Sequence, residues 1–276
     1  MQGGKTWIDP MKPDASPLGM AISEGDKQTI AMVQSALRQG RLGLAYQPIV
    51  MTTDPTRIGF YEGLIRVLDP SGRIIPARDF MDAVESHEIG RLIDCASLRM
   101  GLQALATHPG LRLAINMSAR SVGYPKWTAT LTEGLALSPT VAERLILEIT
   151  ESSAMLVPEL VVRFMNDLQS RGIAFALDDF GAGYTAFRYF RDFAFDILKV
   201  DGMFTRNIDT DADNQALVSA LVSVGKHFHM LTVAEMVETA AEAECLRAIG
   251  FDCLQGYAFG MPSMKPAFLQ GPRKRA

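Results

Sequence analysis

The chain has 276 residues, enough for one large core, and its 48% apolar and 21% charged residues are ordinary for a globular protein. A formal charge of -4 argues against a general DNA- or RNA-binding surface, but leaves room for a small phosphate ligand held by metals or by local Arg and Lys. Three cysteines, Cys95, Cys245 and Cys253, lack paired metal-ligand spacing and read as core thiols in a reducing cytosol. No apolar run approaches the roughly 18 residues of a membrane span, and no signal-peptide region is evident, so the expected location is cytoplasmic.

Residues 1–23, rich in Gly, Pro, Lys and Asp, read as a flexible leader or a linker from an upstream domain; 24–266 read as one folded unit and 267–276 as a basic tail. Apolar residues at helical spacing predict a helix over 26–40 that stops at Gly40. Strands are expected over 44–50, with Gln47-Pro48 inside, and over 58–68, joined as a hairpin. On the second of these strands Glu62, Leu64 and Arg66 share one face, because strand side chains alternate. Helical patterns follow at 77–86 and 90–106.

From there short apolar runs alternate with helices. The run 111–115 ends in Asn116, and 145–147 closes on Glu148-Ile149-Thr150-Glu151-Ser152. The run 174–177 stops at Asp178-Asp179, followed by the turn-forming Gly181 and Gly183, and a short helix is expected over 185–190. Strands over 195–201, 231–235 and 251–256 carry Lys199, Glu235 and Gln255 at or near their ends, and helices are expected over 125–137, 159–169, 214–228 and 239–249. Each polar strand end has an ordinary explanation as a turn residue or a helix-start acid. His227 and His229, two apart on one expected helix, do not share a face and are not read as a metal pair.

Strands alternating with helices imply right-handed parallel crossovers, and roughly eight strands imply a TIM-like (β/α)8 barrel whose first strand pair is antiparallel. Asn116, Glu148, Asp178, Asp179, Lys199, Glu235 and Gln255 would then surround one mouth, where active sites of this fold sit. An oxygen-rich set favours Mg²⁺ or Mn²⁺ over Zn²⁺ and suggests phosphoryl chemistry.

From about position 44 to position 262 the chain resembles the EAL-domain family of bacterial cyclic di-GMP phosphodiesterases. The resemblance rests on Tyr46-Gln47-Pro48-Ile49-Val50, Glu62-Gly63-Leu64-Ile65-Arg66, Asn116-Met117-Ser118, Glu148-Ile149-Thr150-Glu151-Ser152, Asp178-Asp179-Phe180-Gly181-Ala182-Gly183-Tyr184, Leu198-Lys199-Val200-Asp201, Ala234-Glu235-Met236-Val237-Glu238 and Gln255-Gly256-Tyr257. It implies hydrolysis of cyclic di-GMP to the linear dinucleotide pGpG with two Mg²⁺ or Mn²⁺ ions per site, Ca²⁺ binding without supporting catalysis. Glu62, Asn116, Glu148 and Asp178 would hold one metal and Asp178 with Asp179 a second. Lys199 and Glu235 would hold or activate the attacking water, Gln255 and Glu238 would support the site, and Gln47 and Arg66 would contact substrate together with Gln255. Glu151 and Thr185 would anchor the loop after Asp179, which links the site to a homodimer interface. A catalytically silent receptor that signals through dimer geometry is the alternative, and such relatives usually lack a metal ligand.

The sequence departs from the family pattern at Gly63, where the family's name motif has Ala. It departs also at Val67, Thr185 and Met236, where Trp, Ser and Gly are frequent, and at Gly260-Met261, where Ser-Arg is frequent.

Overall fold

The computed structural model describes residues 17–181 and 192–270, with side chains from Glu24 onward. The first helix, α1 (Pro17–Arg38), starts well ahead of the expected position 26 and buries Val33 and Ala36. Pro17 occupies its first position, where a missing N–H costs nothing. Strands β1 (Leu42–Met51) and β2 (Asp54–Leu68) form the expected antiparallel hairpin, with Gln47 opposite Glu62.

A three-residue strand, β3 (Ile74–Pro76), pairs with the end of β2. It is too short to show a period and was not anticipated. The helical pattern at 77–86 is broken into a 3₁₀ turn (Ala77–Asp79) and the single turn α2 (Met81–Val84), because Phe80 leaves helical geometry with its ring fully buried.

The remainder alternates as α3 (Glu88–Thr107), β4 (Leu113–Asn116), α4 (Pro125–Leu135), β5 (Leu145–Thr150), α5 (Glu151–Ala154), α6 (Pro158–Gln169) and β6 (Ala174–Phe180). It continues through β7 (Ile197–Val200), α7 (Gly202–Thr205), α8 (Ala212–His227), β8 (Leu231–Ala234), α9 (Ala240–Ile249) and β9 (Cys253–Gln255). The helix expected over 185–190 lies outside the described residues. Parallel pairing runs from β2 through β4 to β9, and β9 then pairs antiparallel with β1. Eight strands thus close into the expected α/β barrel, with β3 appended outside the ring.

Strand periodicity sorts the side chains into layers. Facing inward, Ile49, Phe60, Ala114, Ile146, Ala176, Ile197, Val233 and Cys253, one from each barrel strand, form an apolar floor. Facing outward, residues such as Leu113, Leu147 and Phe175 pack under α3, α4 and α6 together with Leu98, Trp127 and Met165. Each such side chain contributes roughly 1.5–3 kcal/mol on burial. Phe268, in the segment expected as a basic tail, packs edge-on against Tyr46 and Tyr61 at 5.1 and 5.0 Å. All three cysteines are free; burial pushes the thiols of Cys95 and Cys253 up to about 11 and about 12, as core thiols require. Among the described residues no helix is long and apolar enough to cross a membrane.

Candidate active site

A step of two residues toward the mouth from each floor position lands on a polar side chain: Gln47, Glu62, Asn116, Glu148, Asp178, Lys199, Glu235 and Gln255. Period-2 alternation along eight strands therefore builds one ring of four carboxylates, three amides and one lysine directly on an apolar layer. The ring is desolvated: Glu148 and Lys199 are fully buried, Glu62 and Asp178 nearly so.

Lys199 stands at its centre. Its Nζ lies 2.8 Å from Asp178 Oδ1, 2.9 Å from Glu235 Oε1, 3.2 Å from Glu148 Oε2 and 3.6 Å from Glu62 Oε2. Burial alone would depress the ammonium, but the four carboxylates outweigh it and hold Lys199 well above its ordinary range. Glu62 accepts hydrogen bonds from Asn116 Nδ2 at 2.7 Å and Gln255 Nε2 at 2.6 Å. Burial opposes its ionisation, yet Lys199 and these two amides prevail, so Glu62 ionises below the usual carboxylate range.

Its neighbours are shifted the other way. Burial, reinforced by Glu62 and Asp178, drives Glu148 well above a normal Glu, and burial lifts Glu235 to about 8. Glu148 Oε1 is buried and accepts no hydrogen bond, while Asp178 Oδ1 has its ion pair with Lys199 but no aligned hydrogen bond. Buried carboxylate oxygens left in this condition suit a further cation.

Asp179 follows the ring residue Asp178 and would point away from the mouth in a regular strand. The pairing of β6 with β7 is irregular between Leu177 and Phe180, and Asp179 adopts a left-handed φ of 55°. This bulge re-aims the carboxylate, so that Asp178, Asp179 and Glu235 offer oxygens within 4.8 Å of one another. A second triad, Glu62, Glu148 and Asp178, meets the same distance, and Asp178 is common to both. The Asp179 side chain is exposed at the mouth, but partial desolvation of its carboxyl and the adjoining Asp178 raise it to about 6.

Above the ring, a cavity of about 350 Å³ is walled by Gln47, Leu64, Arg66, Arg206, Met236 and Tyr257. Arg66 reaches this wall because it stands two alternations beyond Glu62 on β2. Gln47 Oε1 accepts from Gln255 Nε2 at 3.2 Å, and Gln47 Nε2 donates to Gly260 O. Glu238 is exposed on the cavity's edge, apart from the ring. Glu151 accepts the backbone N–H of Gly181 at 3.2 Å, just beyond Asp179. Thr185, the other expected loop anchor, lies outside the described residues.

Several supports escaped the sequence reading. Asp94 on α3 accepts from Ser118 N and Ser121 Oγ, fixing the turn behind Asn116, and Ser153 Oγ accepts from Ala119 N in that turn. Glu242 accepts from the N–H groups of Asn207, Glu238 and Thr239, joining the loops after β7 and β8. The Thr239-x-x-Glu242 spacing is a capping-box signal that could have revealed this contact. An acid in the middle of α3 gives no comparable signal.

An α/β barrel with paired carboxylate triads around a buried lysine defines a candidate metal-assisted site of the phosphoryl-transfer type. Comparison with known proteins specifies the family. Residues 30–262 match the EAL domain, and the chain belongs to that family. It is 31% identical over 88% of its length to the bifunctional diguanylate cyclase/cyclic di-GMP phosphodiesterase MucR of Pseudomonas aeruginosa, covering 36% of that protein. It is 30% identical over 83% of its length to the cyclic di-GMP phosphodiesterase PdeB of Shewanella oneidensis, covering 27% of it. The chain thus spans about a third of these curated relatives. The solved structure of the PaMucR phosphodiesterase in complex with c-di-GMP superposes with a TM-score of 0.74 at 30% identity, over 87% of this chain and 98% of that one.

Proposed function

We propose that this chain is an active, metal-dependent cyclic di-GMP phosphodiesterase that releases the linear dinucleotide pGpG. The observation that carries the reading is the completeness of the site: Glu62, Asn116, Glu148, Asp178, Lys199 and Glu235 of the ring and the adjoining Asp179 are all present, with two carboxylate triads meeting at Asp178. Glu62, Asn116, Glu148 and Asp178 would hold one Mg²⁺ or Mn²⁺ ion, and Asp178 with Asp179 a second. When bound, such a pair supplies Lewis-acid polarisation of the phosphodiester and lowers the pKa of water.

The side chains do the rest. Lys199, held cationic among the acids, orients the attacking water, and Glu235 beside it, which would ionise once cations occupy the site, takes up the water's proton. The new P–O bond forms as the bond to the ribose 3′ oxygen breaks, and a proton returns to that leaving oxygen. Gln255 and Asn116 fix the Glu62 carboxylate, Glu238 supports the mouth from its edge, and Gln47, Gln255 and Arg66 position the nucleotide, Arg66 at a phosphate. Glu151, together with Thr185, holds the loop beyond Asp179.

A homodimer is supported by the exposed apolar residues Leu156, Val157 and Leu160, which follow closely on the Glu151 helix. An upstream sensory domain is supported by the much greater length of the relatives, and a cytoplasmic location by the substrate class.

Chromatography of cyclic di-GMP after incubation with the protein tests the reading. Linear product is expected with Mg²⁺ or Mn²⁺, and binding without product with Ca²⁺, whose longer and looser coordination suits catalysis poorly. A folded Glu62→Gln variant is expected to give no product. Tight binding with no product under any metal would favour the silent-receptor alternative.

A further inference from the structure

Met236, already a departure at the sequence level, holds a left-handed backbone with φ 53°. This region is unfavourable for a side chain with a Cβ, and it persists when the surroundings dictate it. Here both neighbours are tied down. Glu235 N donates to Val200 O at 3.2 Å and Glu235 O accepts the Thr205 hydroxyl, while Val237 N donates to Gln255 O at 3.0 Å.

The side chain thus held is 47% exposed, on the wall of the same cavity as Asp178, Asp179 and Glu235. Its course is set by Gly202, at the start of α7. A Cβ at Gly202 would lie 2.6 Å from Met236 Cγ, so the methionine lies where any larger residue at 202 would displace it. Beyond the other end of α7, Arg206 Nη2 donates to Met236 Sδ at 3.5 Å, and Arg206 lines the cavity as well. Gly202, Met236 and Arg206 therefore form one ledge above the ring, a polarisable thioether ending in a guanidinium.

We propose that Met236, braced over Gly202 and tied to Arg206, is a specificity-determining contact that takes the face of a guanine base of the substrate while Arg206 reads the acceptor edge of that base. The proposal rests on the cyclic di-GMP reading above. Thioether sulfur is attracted to aromatic rings, and a guanidinium matches the N7 and O6 acceptors of guanine, whereas adenine presents an amino donor in place of O6.

The test compares kcat/KM for cyclic di-GMP, cyclic di-AMP and the abasic cyclic diribose diphosphate, a diester with no aromatic ring, in the wild-type chain and in Met236→Ala, Gly202→Ala and Arg206→Gln. Dissociation constants measured in Ca²⁺ carry the same comparison independently of turnover. Met236→Ala and Gly202→Ala are expected to lower the ratio of cyclic di-GMP to base-free diester by about tenfold, through KM. Arg206→Gln is expected to narrow the preference for cyclic di-GMP over cyclic di-AMP. Equal proportional losses on all three diesters, or no change with cyclic di-GMP, would overturn the proposal alone. A wild-type protein that neither binds nor cleaves cyclic di-GMP would overturn the proposal and the reading beneath it.

Discussion

Lys199 Nζ lies 2.9 Å from Glu235 Oε1 in the centre of the barrel, and the same ammonium reaches carboxylates from three further strands. It is fully buried, so removing its charge would leave several carboxylates uncompensated in a dry site. Breaking a buried ion pair costs about 3–5 kcal/mol. Lys199→Met is expected to lower urea-unfolding stability by that order in metal-free buffer, with Mg²⁺ restoring part of it. Wild-type stability without metal would show that the ring does not depend on this cation.

The carboxylates also set a pH dependence. Glu235 and Asp179 titrate in the folded chain at about 8 and about 6, against ordinary values of 4.5 and 3.8. The unfolded chain binds fewer of these protons across that interval, so metal-free stability from these groups declines as pH rises from about 4 to about 8. Above that range both are ionised and available to a cation. The thermal midpoint without metal should fall between pH 6 and pH 8, and the increment from Mg²⁺ should grow over the same interval. An increment independent of pH would separate both residues from metal binding.

The polar ring was legible because strand alternation is rigid: once 146–148, 176–178 and 197–199 are recognised as strand ends, Glu148, Asp178 and Lys199 must share the inner face. Asp179 was expected at the mouth because it adjoins a strand end, yet alternation alone would turn it away from Asp178, and the bulge explains how it gets there. The start of helix α1 was missed because Pro17 and Gly19 read as leader residues, and Phe80 interrupted a helical pattern for a burial that periodicity cannot foresee. Asp94 and Glu242 act by gripping backbone N–H groups of distant loops. Such contacts depend on tertiary approach and leave little trace in spacing.

Gly63, the departure in the family's name motif, has a packing explanation. A Cβ there would stand 2.8 Å from Ile115 Cδ1, and one at Gly101 on α3 would also meet Ile115 Cδ1 at 2.8 Å. Ile115 therefore fills the space between two glycines, immediately before Asn116. Gly63→Ala gains roughly 0.5–1 kcal/mol of strand preference, but overpacking costs about 1–3 kcal/mol, so a net loss near ~1 kcal/mol is expected. Ile115→Val should be destabilising in the wild-type chain and much less so beside Ala at 63. A double-mutant cycle measures this coupling; strict additivity would mean that the two positions do not compete for space.

Glu151 tests whether the end of β6 needs its anchor. Its Oε2 accepts from Gly181 N, two residues beyond Asp179, where the chain adopts φ 96°. Removing a buried charged acceptor costs roughly 1.5–3 kcal/mol locally, and here the loss would loosen the segment carrying Asp178 and Asp179. Glu151→Ala is expected to lower kcat about tenfold and to raise the half-saturating Mg²⁺ concentration, although Glu151 belongs to neither carboxylate triad. Glu151→Gln keeps an acceptor oxygen and should recover most of both. Titration of turnover against Mg²⁺ for the three proteins decides, because an acid serving only the first turn of α5 would leave the metal curve in place.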